Sequence, residues 1–247
     1  APSINVAQTS KSLFQVERSL LTARTGNIVV SSGTEGSVDI QGPLVGGNLN
    51  AAGAVNFNGG LKYFASLTDA GISAGAGVNV NMTGNEGQFI VTTSNIQAAN
   101  GAINITGSGE KNFAEFKFNS PRGINIRLNG NESEIVGNQF SFDGGAGIIL
   151  RTGGNKGKVT MADGTLSATG AVQVQASTTG LEGVVVVQNA NFNSGGSTRI
   201  ETGSRGNTEV LDSSLTSSTL IRFATGAGGN CKSQNNILSA PTLQVCQ

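Results

Sequence analysis

A chain of 247 residues can make one large domain or two ordinary ones. Gly numbers 37, about twice ordinary usage, while charged residues are 12% and aromatics 5%, with no Trp and no His. That balance speaks against a cytosolic helical enzyme. A formal net charge of zero, with no basic stripe carrying interleaved aromatics, speaks against a nucleic-acid partner.

No run of about 18 apolar residues occurs, so no segment reads as a membrane-spanning helix. Apolar residues are 37% of the chain and recur periodically, unlike those of a disordered Gly-, Ser- and Asn-rich polymer. The expectation is a β-rich, turn-rich protein with an outer surface of Ser, Thr, Asn and Gly.

Residues 1–25 stand apart. Ser10 or Ser12 can cap a helix, and Leu13, Val16, Leu20 and Leu21 then fall roughly on one helical face. Glu17, Arg18 and Arg24 take the other side. The segment is read as a short N-terminal helical cap covering the unpaired edge of a stack, and so as an assembly surface. A membrane-binding amphipathic helix is the alternative, disfavoured by the thin basic content.

From about Gly26 a repeat begins. Gly33, Gly59, Gly84, Gly107, Gly130, Gly153, Gly180, Gly203 and Gly226 follow one another at a nearly constant interval, the mark of a repeat architecture. Before them lie alternating apolar pairs: Val55 and Phe57, Val80 and Met82, Ile103 and Ile105, Ile126 and Leu128. A little further on comes a second apolar point: Ile90, Phe113, Val136, Val159 and Val186. A third follows at Ile96, Phe118, Phe142, Leu166, Phe192 and Leu215. Three short strands per period predict an all-β fold, a right-handed parallel β-helix (β-solenoid) of about nine coils. The domains read as a cap over 1–25, solenoid repeats over 26–230 and a cysteine loop over 231–247.

The two long periods, ending at Gly59 and Gly180, predict a loop or bulge in each. Glu35, Glu86, Glu132 and Glu182 occupy alternate coils, which avoids stacking like charges. The coils between carry Leu61, Gly109, Asn155 and Arg205 at that offset.

No catalytic set, metal site or cofactor is read from these residues. Glu132, Glu134, Lys156 and Lys158 could share a face, and the reading is solvated surface charge rather than a lyase centre. The recurring Thr83, Thr106, Thr152, Thr202 and Thr225 are single, not paired, and read as turn residues rather than an ice-binding ladder. Cys231 and Cys246 form an even pair in an extracellular-looking composition, which reads as a disulfide.

The phrases Gly47-Asn-Leu-Asn-Ala-Ala-Gly-Ala-Val55 and Gly164-Thr-Leu-Ser-Ala-Thr-Gly-Ala-Val172 resemble the repeats of the filamentous-haemagglutinin family, large bacterial exoproteins exported by two-partner secretion. The resemblance runs over most of 26–225. It implies a non-enzymatic adhesin or scaffold at the bacterial surface or in its matrix. Implied partners are a host or bacterial surface ligand, a glycan among the candidates, and an outer-membrane secretion partner. The segment from Cys231 to Cys246 is similar in kind to the C-terminal cysteine loop of some of these adhesins, where the ring is thought to hold the rod in its secretion pore. The other reading is a staple on the last coil. The family's Asn-Pro-Asn-Gly secretion module has no counterpart here, which suits either a C-terminal piece of a longer adhesin or a small protein sharing the fold. Two alternatives stay beside the adhesin: a filament subunit stacking on itself end to end, and a polysaccharide lyase or hydrolase.

Overall fold

The phrase Ile-Asn-Ile-Thr-Gly becomes a five-residue strand, Ile103–Gly107, with Ile103 and Ile105 fully buried and Asn104 and Thr106 facing outward. In this computed structural model, residues 1–42, 48–92, 94–110, 113–115, 118–120 and 122–246 are described. Their strands form three parallel sheets of 11, 10 and 10 strands, and consecutive strands of a coil always enter different sheets. The chain is therefore a parallel β-solenoid. The stack of about nine coils is present, and residues 4–23 add one more at its start.

That first coil corrects the expected helical cap. Residues 1–25 hold three strands, Ile4–Gln8, Leu13–Glu17 and Leu21–Ala23, one in each sheet. Leu13 and Val16 point to opposite faces of one strand, Leu13 being exposed and Val16 buried. A helix could not have satisfied the open edge beneath it. A strand does so, through bonds such as Ile4 N to Asn27 O at 2.9 Å and Ser37 N to Ser12 O at 2.8 Å.

Register differs from the glycine period. Met82 pairs with both Gly59 and Gly107, and Gly107 pairs with Leu128. The glycines mark one corner of each coil but drift by up to two positions in the stack. True coil lengths vary more widely than the glycine intervals do. Ile28 pairs with Val55, a long coil, whereas Ile103 pairs with Ile124, a distinctly shorter one. The long period ending at Gly180 does contain a register shift, between Ala176 and Leu181. The period ending at Gly59, where a loop or bulge is also expected, includes residues 43–47, which lie outside the described residues.

The corners use two devices. After the first-sheet strands, a charged residue takes positive φ: Glu35 (57°), Lys62 (52°), Glu86 (60°), Glu132 (53°), Lys156 (54°), Glu182 (61°) and Arg205 (53°). The amides bond to the next coil, as Lys156 N does to Leu181 O at 2.8 Å, so the left-handed conformation is held by the stack. The coils between the glutamates thus carry Lys62 and Lys156, not Leu61 and Asn155. Opposite charges pair up the corner, Lys11 with Glu35 at 3.4 Å, Lys62 with Glu86 at 3.8 Å and Arg205 with Glu182 at 3.7 Å. Before the first-sheet strands, small residues are required instead. A Cβ on Gly170 would lie 1.7 Å from the Ala146 carbonyl oxygen of the preceding coil.

The interior is aliphatic with embedded rings, including Phe57, Phe89, Phe142 and Phe192. One part of the apolar pattern is displaced by one residue. Ile90, Val136 and Val186 face outward, and their neighbours Phe89, Ile135 and Val185 fill the core. Strands such as Val184–Gln188 are apolar on both faces, so alternation alone does not tell inside from outside. The third-sheet points Ile96, Phe142, Leu166, Phe192 and Leu215 are buried.

Tyr63 fills the space left by Gly59, where a Cβ would come 1.9 Å from its ring. Its side chain is fully buried and its hydroxyl has no hydrogen-bond partner among the described residues. Burial pushes the phenol well above its ordinary value of 10.0. A buried unpaired hydroxyl costs about 1–3 kcal/mol. At about 2–4 °C per kcal/mol for a chain of this size, replacing Tyr63 with Phe is therefore expected to raise Tm by at least about 2 °C in a thermal melt. The unfolded phenol ionises at lower pH than the folded one, so its contribution holds below about pH 10 and is lost above it. Stability measured against pH should then fall less steeply above about pH 10 in Tyr63→Phe than in the parent chain.

Candidate functional site

The outward positions of the first sheet form the most differentiated surface. In four successive coils the same position holds Asn56, Asn79, Asn104 and Asn125. Their side chains bond along the stack, Asn79 Nδ2 to Asn56 Oδ1 at 2.8 Å and Asn104 Nδ2 to Asn79 Oδ1 at 3.0 Å. The column then continues through Ile149, Gln173, Arg199 and Arg222. Two residues further along each strand runs a second column: Asn81, Thr106, Arg127, Arg151, Gln175 and Glu201.

A shallow cleft of about 360 Å³ opens beside the first column. Its small residues, Ala102, Gly123, Gly147 and Ala171, immediately precede the strands, where a side chain has little room. Asn104, Asn125, Ile149 and Gln173 line it from the sheet, and Arg122 and Ala146 from the corner.

The electrostatics of this face are one-sided. Arg127 stacks directly on Arg151, and Arg199 directly on Arg222. Arg127 Nε donates to Asn125 Oδ1 at 2.8 Å and Arg151 Nε to Thr178 Oγ1 at 2.7 Å, both neutral acceptors. Glu201 is the one acid in the first-sheet strands, and it takes Arg222 at 3.3 Å and Gln175 at 3.0 Å. Sequence reading missed this cluster because its members are scattered along the chain and no local basic run announces them. The signal available was the recurrence of Arg at outward positions of successive repeats, at one phase for Arg127 and Arg151 and two residues earlier for Arg199 and Arg222.

The residues singled out from sequence lie elsewhere. Glu134 and Lys158 are directly paired on the second sheet and form an ion pair at 2.9 Å, while Glu132 and Lys156 belong to the charged corner. Among the described residues, no three His, Cys, Asp or Glu gather as a metal site would require. The threonines do not form one ladder: Thr152 is buried and Thr106 points outward.

Both ends of the described rod carry exposed apolar residues. At the start, Leu13 and Leu20 are 59% and 56% exposed, and Leu21 is half-buried. At the other end, Ile237 and Leu243 are 72% and 47% exposed. Cys231 and Cys246 are joined by a disulfide with Cα atoms 5.2 Å apart. Cys231 lies on the second-sheet strand Asn230–Gln234 and Cys246 just follows the last first-sheet strand, Thr242–Val245. The bridge ties two sheets together where the described coils stop.

Comparison with protein-family models, curated proteins and solved structures finds no match for this chain.

The bridge closes a loop with a sequence separation of 15. A loop of that size is worth about 3 kcal/mol through the unfolded chain. Because coils contact only their neighbours, its loss should be felt locally. Reduction, or Cys231→Ser with Cys246→Ser, is expected to speed amide exchange in 230–245 while leaving 148–188 protected.

Proposed function

We propose that the chain is a non-enzymatic structural rod of an extracellular surface or matrix, acting as an adhesin or scaffold, in keeping with its resemblance to the filamentous-haemagglutinin exoproteins. The observation that carries this reading is the first-sheet face. It presents amides and guanidinium groups in register over successive coils, an extended surface suited to an extended ligand. Ladders anchored on a stacked backbone are already ordered, so binding loses little further conformational freedom. The disulfide fits an oxidising compartment.

The experiment coats the purified chain on a surface, then measures attachment of bacterial or host cells and release of reducing ends from a polysaccharide panel. Attachment without cleavage is expected. Turnover of any polysaccharide would remove the non-enzymatic reading in favour of a lyase or hydrolase.

The exposed ends favour a second reading, a filament subunit stacking head to tail on further copies. Leu238 and Val245 close one end of the interior, and Ile4, Val6, Phe14 and Leu21 the other, all half-buried. Continuing the three sheets would bring these sets together and pair their open strand edges. Light scattering over a concentration series should then show growing particles that Val6→Lys suppresses. A monomer at every concentration would dismiss the filament.

A further inference from the structure

We propose that the arginine face of the first sheet binds a linear carboxylated polysaccharide, a uronate polymer, laid along the stack axis. The inference deepens the adhesin reading and rests on it.

Like charges directly opposite each other in adjacent strands destabilise a sheet. At the charged corner this chain avoids that cost, alternating Lys and Glu from coil to coil. On the first sheet it accepts the cost at Arg127 on Arg151; Arg199 also stacks on Arg222, but there Glu201 takes Arg222 at 3.3 Å. A repulsive arrangement kept in a chain that elsewhere alternates its charges points to an anion that relieves it. Arg127 and Arg151 each spend Nε on a neutral oxygen, and neither has a carboxylate partner among the described residues. Their remaining N–H groups are donors for an external carboxylate, the acceptor that guanidinium binds in bidentate fashion.

The layout selects a polymer over a small anion. Arg127 and Arg222 are separated by four inter-coil steps, on the order of 19 Å at strand spacing. Gln173 and Gln175 lie between the two arginine pairs, and the cleft with Arg122 continues the line past Asn125 and Asn104. Amides between guanidinium groups suit a chain carrying hydroxyls between its carboxylates. Single-stranded nucleic acid is disfavoured, since it needs aromatic platforms and the outward positions of these strands hold none.

The test uses the intact, disulfide-bonded chain and biolayer interferometry against immobilised polygalacturonate, neutral dextran and a single-stranded DNA oligonucleotide. Polygalacturonate should bind at low ionic strength and dissociate as salt approaches about 0.5 M, and dextran should not bind. Arg127→Gln with Arg151→Gln should weaken polygalacturonate binding by about tenfold or more, the scale of two lost charge-assisted contacts. Its Tm should match or exceed the parent's, because the repulsion is gone. Lys158→Gln, on the second sheet, should bind as the parent does. The proposal is overturned if polygalacturonate does not bind, if the double variant binds it unchanged, or if DNA binds more tightly. Cell attachment that persists without polygalacturonate binding would leave the adhesin reading standing and remove only this ligand.

Discussion

Every part of this protein depends on the parallel hydrogen-bond ladder between coils. A coil makes almost no backbone bonds within itself; its amides and carbonyls pair with the coils before and after. The ladder fixes which residue lies above which. Coil length can then vary, from the long step between Ile28 and Val55 to the short one between Ile103 and Ile124, without disturbing the sheets. The corners absorb the difference. The shift between Ala176 and Leu181 is such a case, and Ser177 there is buried, its Oγ accepting from Gly157 N at 2.8 Å.

Stacking at about 4.8 Å also multiplies each side-chain choice along the rod. An asparagine over an asparagine gains an amide bond, as Asn79 does on Asn56. A lysine over a glutamate gains an exposed ion pair of modest value. An arginine over an arginine gains nothing from its neighbour. The first-sheet face contains both the favourable and the unfavourable case, Asn79 on Asn56 and Arg127 on Arg151.

The same ladder leaves the ends as the weak points. Interior coils are held from both sides and the first and last described coils from one. The disulfide compensates at one end by joining Cys231 to Cys246 across two sheets. At the other end the first coil relies on its ladder with 28–32 and 37–41 and on Val16, the one large side chain there that is well buried. The exposed Leu13 and Leu20 follow from the same geometry, since nothing in the described chain stacks beneath them.

The amino-acid sequence alone determined the repeat, the three strands per coil and much of the core, because alternation of apolar and polar residues is a local property. Ile103 and Ile105, or Phe142 and Phe192, read as interior from their neighbours alone and are buried. Register is not local. Whether Val185 or Val186 faces inward in a run of four valines depends on the strands on either side, and so does the order of charges at the corner. The helical reading of Leu13, Val16, Leu20 and Leu21 failed for a related reason: the open edge of the second coil rewards a strand over any local helix preference. The arginine face is the extreme case. Residues 122, 127, 151, 199 and 222 are scattered along the chain at different offsets within their repeats, and only the tertiary stack, by setting one coil on the next, makes them a surface.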